Sequence, residues 1–322
     1  MGAAAKSTGN AGETKPGEKP GDALDRAIGL AGPSFNFIVD NFMGLFTKLL
    51  KVELASALAS VLMWLAAGLA TAGMLALMGT PLLAGVPAAM AHIMSSNIYI
   101  AILVAWALFA ILLISWLTET ISLVSLPIVK GQFEGTYPGI WQTFGRIKFP
   151  VLGYVLLNFT ICALFLGVPL ILLFLLRGSE AVFIIGIVAY LIYAVLFILL
   201  YRFFAQFWLW EMLLGGRGAY ESLSGSFSLV LGNVVGVFVF DIIRILASIA
   251  VGIPFFIVLL AVGFLFQLGM FATMLVSPLA YLGLLALSVV VRVAVTLIQS
   301  AATGSVTLPY TYSFWDAIRK KA

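Results

Sequence analysis

Apolar residues run almost without interruption along most of this chain, broken by short clusters of Lys, Arg, Gly, Pro and aromatic residues. A helix needs about 20 apolar residues to cross the hydrocarbon core of a bilayer. Runs of that length or more lie near 54–79, 98–126, 149–177, 181–209, 233–266 and 278–300. They predict an all-α integral membrane protein with six transmembrane helices. The spans occupy most of the chain, so residues 23–322 read as one membrane domain. Residues 1–22 contain no apolar run and read as a disordered cytoplasmic tail, because they cannot bury enough surface to offset the entropy of ordering. No apolar stretch follows Lys6, so no signal peptide is expected. Lys6 also stands where a myristoylation motif wants Ser or Thr.

Composition supports the same solvent. The chain is 63% hydrophobic and 9% charged, with mean hydropathy +1.16, whereas soluble domains are about 25% charged. The sequence pI is about 9.2. This basic balance does not point to nucleic acid, because the cations flank apolar spans instead of forming one basic face. Lys6, Lys15, Lys19, Arg26, Lys48 and Lys51 precede span one; Lys130, Arg146 and Lys148 lie between spans two and three. Arg202 and Arg217 lie at or after the end of span four, and Arg319, Lys320 and Lys321 close the chain. All of these fall on one side. Arg177 alone falls on the other, and Arg244 and Arg292 lie inside spans. The positive-inside rule then predicts a multi-pass protein of the cell membrane with both termini cytoplasmic.

A repeat is visible when the sequence is shifted by 83 residues. Glu119 meets Arg202, Gly135 meets Gly218, Tyr137 meets Tyr220, Thr143 meets Ser226, Phe144 meets Phe227, Gly153 meets Gly236 and Asn158 meets Asp241. Pro169 and Pro254 follow with a two-residue slip. A further shift of 90 brings Arg202 onto Arg292 and Tyr220 onto Tyr310. The expected unit is an interfacial amphipathic helix followed by two spans, repeated at about 35–126, 137–209 and 219–300. The interfacial helices are expected near 35–51, 137–148 and 219–231, with a terminal one at 309–321. Such helices lie at the headgroup boundary with their basic groups toward anionic lipid.

The segment Tyr220-Glu221-Ser222-Leu223-Ser224-Gly225-Ser226-Phe227 reads as an elbow. Together with Gly232-Asn233 and the triplets Gly167-Val168-Pro169 and Gly252-Ile253-Pro254, it resembles the six-helix membrane domain next to some glycerophosphoryl diester phosphodiesterases. Related archaeal and bacterial membrane families share that arrangement. The resemblance covers about residues 35–320 and implies a fold. It implies no phosphodiesterase activity, because the catalytic domain of those enzymes has no counterpart here.

Candidate chemistry is confined to charges within the spans: Glu119, Arg202, Asp241, Arg244 and Arg292. A charge at the bilayer centre costs about 2.5–3.5 kcal/mol on insertion scales and usually faces protein or water. One reading is a cytoplasm-facing pocket in which Arg202, Arg244 and Arg292 bind an anionic group. The plainer reading is structural ion pairs, with Asp241 and Arg244 on one helix face and arginines snorkelling to headgroups. Pro169 and Pro254 are candidate helix breaks, each freeing a carbonyl that needs another partner. The apolar segments 80–97 and 267–277 read as external loops.

No catalytic, metal or cofactor site is expected. There is one His, His92, and one Cys, Cys162, and neither a Walker loop nor a Gly-x-Ser-x-Gly elbow. The favoured function is a non-catalytic structural or accessory subunit of a membrane assembly; the alternative is a transporter, channel or lipid-handling protein. Expected partners are membrane lipids, anionic at the cytoplasmic face, and other membrane proteins or a second copy of the chain. The orientation is directly testable. Single cysteines engineered near the C-terminus of a Cys162→Ala background are expected to resist impermeant maleimide added to intact cells, while one beside Gly178 reacts; the opposite pattern overturns the topology.

Overall fold

In hydrocarbon a backbone N–H or C=O finds no water, so an apolar run must satisfy its own hydrogen bonds and becomes a helix. The computed structural model follows this rule throughout. It describes residues 20–79, 97–136, 138–175, 178, 180–274 and 277–320, and every element among them is helical. The elements are α1 (Pro20–Leu77), α2 (Asn97–Leu123), α3 (Ser125–Glu134), α4 (Ile140–Cys162), a π-helical segment (Ala163–Gly167), α5 (Val168–Leu175), α6 (Glu180–Ala205), α7 (Trp208–Leu213), α8 (Ala219–Gly232), α9 (Val234–Met274) and α10 (Pro278–Arg319). Six stretches are long and apolar enough to cross a membrane, which is the fold of a multi-pass membrane protein.

Several boundaries differ from the sequence reading. The stretches 35–51 and 309–321 are not separate interfacial helices: α1 and α10 run straight through them into their spans. Likewise α4 carries 140–148 unbroken into span three. Only α8, which contains the Tyr220–Phe227 segment, stands apart, and that segment is helix and not an elbow. Breaks are costly in lipid, so the other stretches fuse with their spans even where Pro150 and Pro309 lie near the junction. Residues 267–274, expected in an external loop, are helix. α9 continues to Met274, and α10 starts at Pro278 with the Ser277 hydroxyl accepting from the Ala280 N–H at 3.3 Å. The tail 1–19, the loop 80–96, and with them His92, lie outside the described residues, as do Tyr137 and Arg177.

Neighbouring spans pack antiparallel in the order α9, α10, α1, α2, α4–α5, α6. The α9–α10 pair is the most extensive. Gly252, Gly263 and Gly269 of α9 face Gln299, Arg292 and Leu284 of α10, and a Cβ at each would meet those side chains at ordinary van der Waals distance. Ser300 donates to Glu53 at 2.8 Å between α10 and α1, and Trp106 Nε1 donates to Thr71 Oγ1 at 2.8 Å between α2 and α1. α6 and α9, the two ends of the row, do not pack along their lengths.

The buried core sits at one end of this row. It gathers Leu45, Leu49, Val52, Val124, Val129, Val151, Phe207, Trp210, Phe240, Phe314 and Trp315 from six helices and the α2–α3 and α6–α7 breaks. Phe240 stacks on Phe314 at 4.4 Å between centroids, Phe207 lies 6.0 Å from Phe240, and Trp210 lies 6.1 Å from Trp315. Two short elements reach this base. α3 follows a break at Val124, and α7 follows a break at Gln206–Phe207, where the Ser226 hydroxyl donates to the Phe204 carbonyl at 2.7 Å and accepts from the Phe207 N–H at 3.1 Å. Gly135 and Gly216, with φ near +70° (69° and 72°), turn the chain after α3 and α7. By contrast, the apolar windows of the six spans are between 0% and 6% buried. The spans share a packed foot and spread above it.

The two prolines behave differently. α9 passes through Pro254 as α-helix. Pro169 follows the π-helical segment, and the carbonyl its missing N–H leaves open is that of Phe165, four residues back. The Tyr193 hydroxyl donates to this carbonyl at 2.8 Å, and the Tyr190 hydroxyl donates to the Leu166 carbonyl at 3.1 Å. Thus only Pro169 adjoins a break in the α pattern, and the freed acceptor is bound by a neighbouring span. Tyr193→Phe is expected to lower unfolding stability in mixed micelles by about 1 kcal/mol, the scale of one interhelical hydrogen bond in a membrane protein. A Tyr193→Phe protein as stable as the wild type would show that the π segment needs no such partner.

Candidate functional site

Each span carries a defined depth, because an α-helix rises about 1.5 Å per residue and the hydrocarbon core is about 30 Å thick. Measured from the ends opposite the packed foot, Glu119 lies about 33 Å along α2 from Asn97, and Arg202 about 33 Å along α6 from Glu180. Arg292 lies about 21 Å along α10 from Pro278, and Arg244 about 45 Å along α9 from Met274. Asp241 and Arg244 lie within the stretch Val234–Met274 that is long and apolar enough to cross a membrane, at the end that carries the foot residues Val237 and Phe240.

The five charges form two groups and one outlier. Asp241 and Arg244 are paired at 2.7 Å, one helical turn apart on α9. Gln206 at the α6–α7 break lies beside Asp241, and the Arg244 guanidinium sits 5.4 Å from the Phe240 ring. Glu119 and Arg202 lie in electrostatic range of the same group, Tyr154 of α4, whose ring meets Trp208 edge-on at 4.6 Å. Beside them the Tyr201 hydroxyl donates to Asn158 Oδ1 at 2.8 Å. Arg202 and Gln206 are four apart, so a polar band runs from Glu119 through Tyr154, Arg202 and Gln206 to Asp241 and Arg244. It crosses α2, α4, α6 and α9 just above the foot. Arg292 does not join it: its guanidinium rests against Gly263 of α9, about 28 Å along that helix from Arg244. The expected convergence of Arg202, Arg244 and Arg292 on one anion is therefore not the arrangement observed.

The most buried charge was not among those candidates. Glu211 of α7 has 1% of its side chain exposed. Arg217 Nη1 lies 3.1 Å from its Oε2, Arg319 Nε lies 3.6 Å from its Oε1, and Trp315 Nε1 donates to Oε1 at 2.8 Å. Arg319 also donates to the Gly215 carbonyl at 3.4 Å and stacks over Trp315 at 5.1 Å. Gly225 has no Cβ, which leaves room for the Arg217 guanidinium 2.7 Å from where one would stand. Glu211 thus ties α7, the turn after it, and the end of α10 into one unit.

Two hollows are lined by other residues. An apolar groove of about 410 Å³ lies between α5 and α6, where Pro169, Phe183, Gly186 and Tyr193 meet. A polar cavity of about 440 Å³ lies between α3 and α4 at the foot. Among the described residues no three His, Cys, Asp or Glu side chains gather to hold a metal ion. Comparison with protein-family models, curated proteins and solved structures returns no match.

Removing the Glu211 carboxylate leaves two arginines and an indole facing each other. Glu211→Ala is expected to cost about 2–3 kcal/mol of stability, below the ~3–5 of a fully buried pair because both arginines are partly exposed. Glu119→Gln is expected to change stability by less than about 1 kcal/mol. Equal losses in chemical unfolding of the two variants would contradict this ranking.

Proposed function

We propose that this chain is a non-catalytic subunit of a membrane assembly, with its termini at the cytoplasmic face of the cell membrane and its spans built from three successive pairs. The observation that carries this reading is the near absence of buried residues in the apolar windows of all six spans. A six-span chain that worked alone as a closed channel would pack those windows against one another. Here they are free to be covered by another protein or a second copy. The charges point the same way. Asp241 neutralises Arg244, and Glu211 neutralises Arg217 and Arg319, so the foot holds ion pairs in place of a charged path. In favour of the repeat, a short helix ended by a left-handed glycine follows both span two and span four. The likeness to the phosphodiesterase-associated membrane domain rests on other segments, Tyr220–Phe227, Gly232-Asn233 and the two Gly-x-Pro triplets.

One observation favours a second reading, a lipid-handling protein. α6 and α9 meet at the foot through Phe207 and Phe240 but do not pack above it. At the level where they meet, Gln206, Asp241 and Arg244 supply the polar groups.

Photo-crosslinking side chains placed at Leu200 of α6 and Ile257 of α9, both exposed, separate the two. In native membranes the subunit reading expects a discrete protein adduct from both sites. Purified wild type in vesicles is then expected to move no fluorescent phospholipid between leaflets. Adducts to lipid alone, together with phospholipid movement that Arg244→Ala abolishes, would replace the subunit reading with the second.

A further inference from the structure

The polar cavity at the foot has the parts of an anion site. Its α4 wall presents Gln142, Thr143 and Arg146, which share one helical face, and its α3 wall presents Lys130, Gly131 and Glu134 at the same kind of spacing. Thr143 is 4% exposed, and its hydroxyl is buried with no hydrogen-bond partner in the protein. That is unusual for a helical threonine here. Thr47, Thr120, Thr160, Thr296 and Thr311 each donate to the carbonyl four residues back. Thr143 sits in the first turn of α4, where its N–H bonds the Gly139 carbonyl at 2.9 Å while its hydroxyl does not. A buried hydroxyl without a partner costs about 1–3 kcal/mol unless something supplies one.

The charges around it are unequal. Lys130 lies 3.7 Å from Glu134, whereas no ion pair to Arg146 occurs among the described residues. The cavity therefore carries one cation more than it carries anions. The first turn of α4, with no side chain capping it from Gly139, adds the positive end of a helix of 23 residues. Gly131 keeps the α3 wall thin, since a Cβ there would strike the Thr136 carbonyl. The cavity also lies at a marked depth. Trp141 and Phe149 of α4 are 73% and 66% exposed on either side of it, and Lys148 sits over the Phe149 ring. Exposed aromatics flanked by cations mark the headgroup level of a bilayer.

We infer that this cavity binds a phosphate ester, held by the Arg146 guanidinium, the Lys130 ammonium and the Thr143 hydroxyl. Its depth makes an anionic phospholipid headgroup the natural occupant; a soluble phosphate presents the same chemistry. The site does not depend on whether the spans serve as a subunit or move lipid, and its test reads neither partners nor transfer.

The full chain in nanodiscs of phosphatidylcholine doped with phosphatidylglycerol is released and examined by native mass spectrometry for retained lipid. In parallel, delipidated protein in neutral detergent is dialysed against radiolabelled inorganic phosphate. Wild type is expected to retain phosphatidylglycerol over phosphatidylcholine. Arg146→Gln with Lys130→Gln should cut that retention about tenfold, the scale of losing charge-assisted bonds. Thr143→Val, which keeps shape and packing, should cut it several-fold and provides a test if the double variant fails to fold. Lys320→Gln, whose lysine is engaged by Asp316 at the same end of the molecule, should leave it unchanged. Phosphate binding with the same variant dependence, without lipid selectivity, assigns the site to a soluble ester. Retention and phosphate binding that ignore Arg146 and Thr143, or that fall equally with Lys320→Gln, overturn the site.

Discussion

The hydrophobic effect acts only where water is displaced. Between two helices surrounded by lipid tails it supplies almost nothing, since the tails are as apolar as the side chains. The chain is organised around that constraint. Its buried aromatic cluster forms at one end of the long helices, outside their most apolar windows. Phe207, Phe240, Phe314, Trp210 and Trp315 stack there, and Glu211 with Arg217 and Arg319 fixes the short α7 against the end of α10. Every other feature hangs from this foot. The polar band begins just above it, the α3–α4 cavity opens beside it, and the spans are oriented by how they leave it. Within the hydrocarbon the surviving contacts are those that work without water: side chains of α10 facing glycines of α9, and hydrogen bonds such as Trp106 to Thr71 and Tyr193 to Phe165.

The number and character of the spans were legible in the sequence because hydropathy alone determines them. Their ends were not. Between residues 267 and 274 helix and loop are both apolar, so hydropathy carries no information; the Ser277-Pro278 pair, an N-cap followed by a helix-starting proline, was the local signal for the turn. Asp241 and Arg244 belong to the foot because they flank Phe240 and Gln206 there, whereas Arg292 rests against Gly263, far along α9. The pairing of Asp241 with Arg244 was readable from their spacing. Glu211 was not, because its partners Trp315 and Arg319 are more than a hundred residues away and become neighbours only through the fold. The cavity residues were hidden for a related reason. Lys130 and Arg146 looked like ordinary flanking cations, and an unpartnered Thr143 is defined by surroundings that no spacing reveals.

The proline at 169 shows how a membrane helix departs from regularity without exposing its backbone. The Tyr193 hydroxyl of α6 replaces the missing N–H, and the wider π turn presents two successive carbonyls to that helix, one to Tyr193 and one to Tyr190. The break and the contact with α6 are therefore one feature. Among the described residues no side-chain hydroxyl meets the carbonyl before Pro254 in this way, and its helix stays regular.

A structure closed at one end and parted along α6 and α9 has a mechanical consequence. Besides the Phe207–Phe240 rings, Gln206 beside Asp241 joins them at the foot. Farther up, the separation of α6 and α9 is carried by the continuous row of packed neighbours that connects them, so small shifts at the successive interfaces would add up at its two ends.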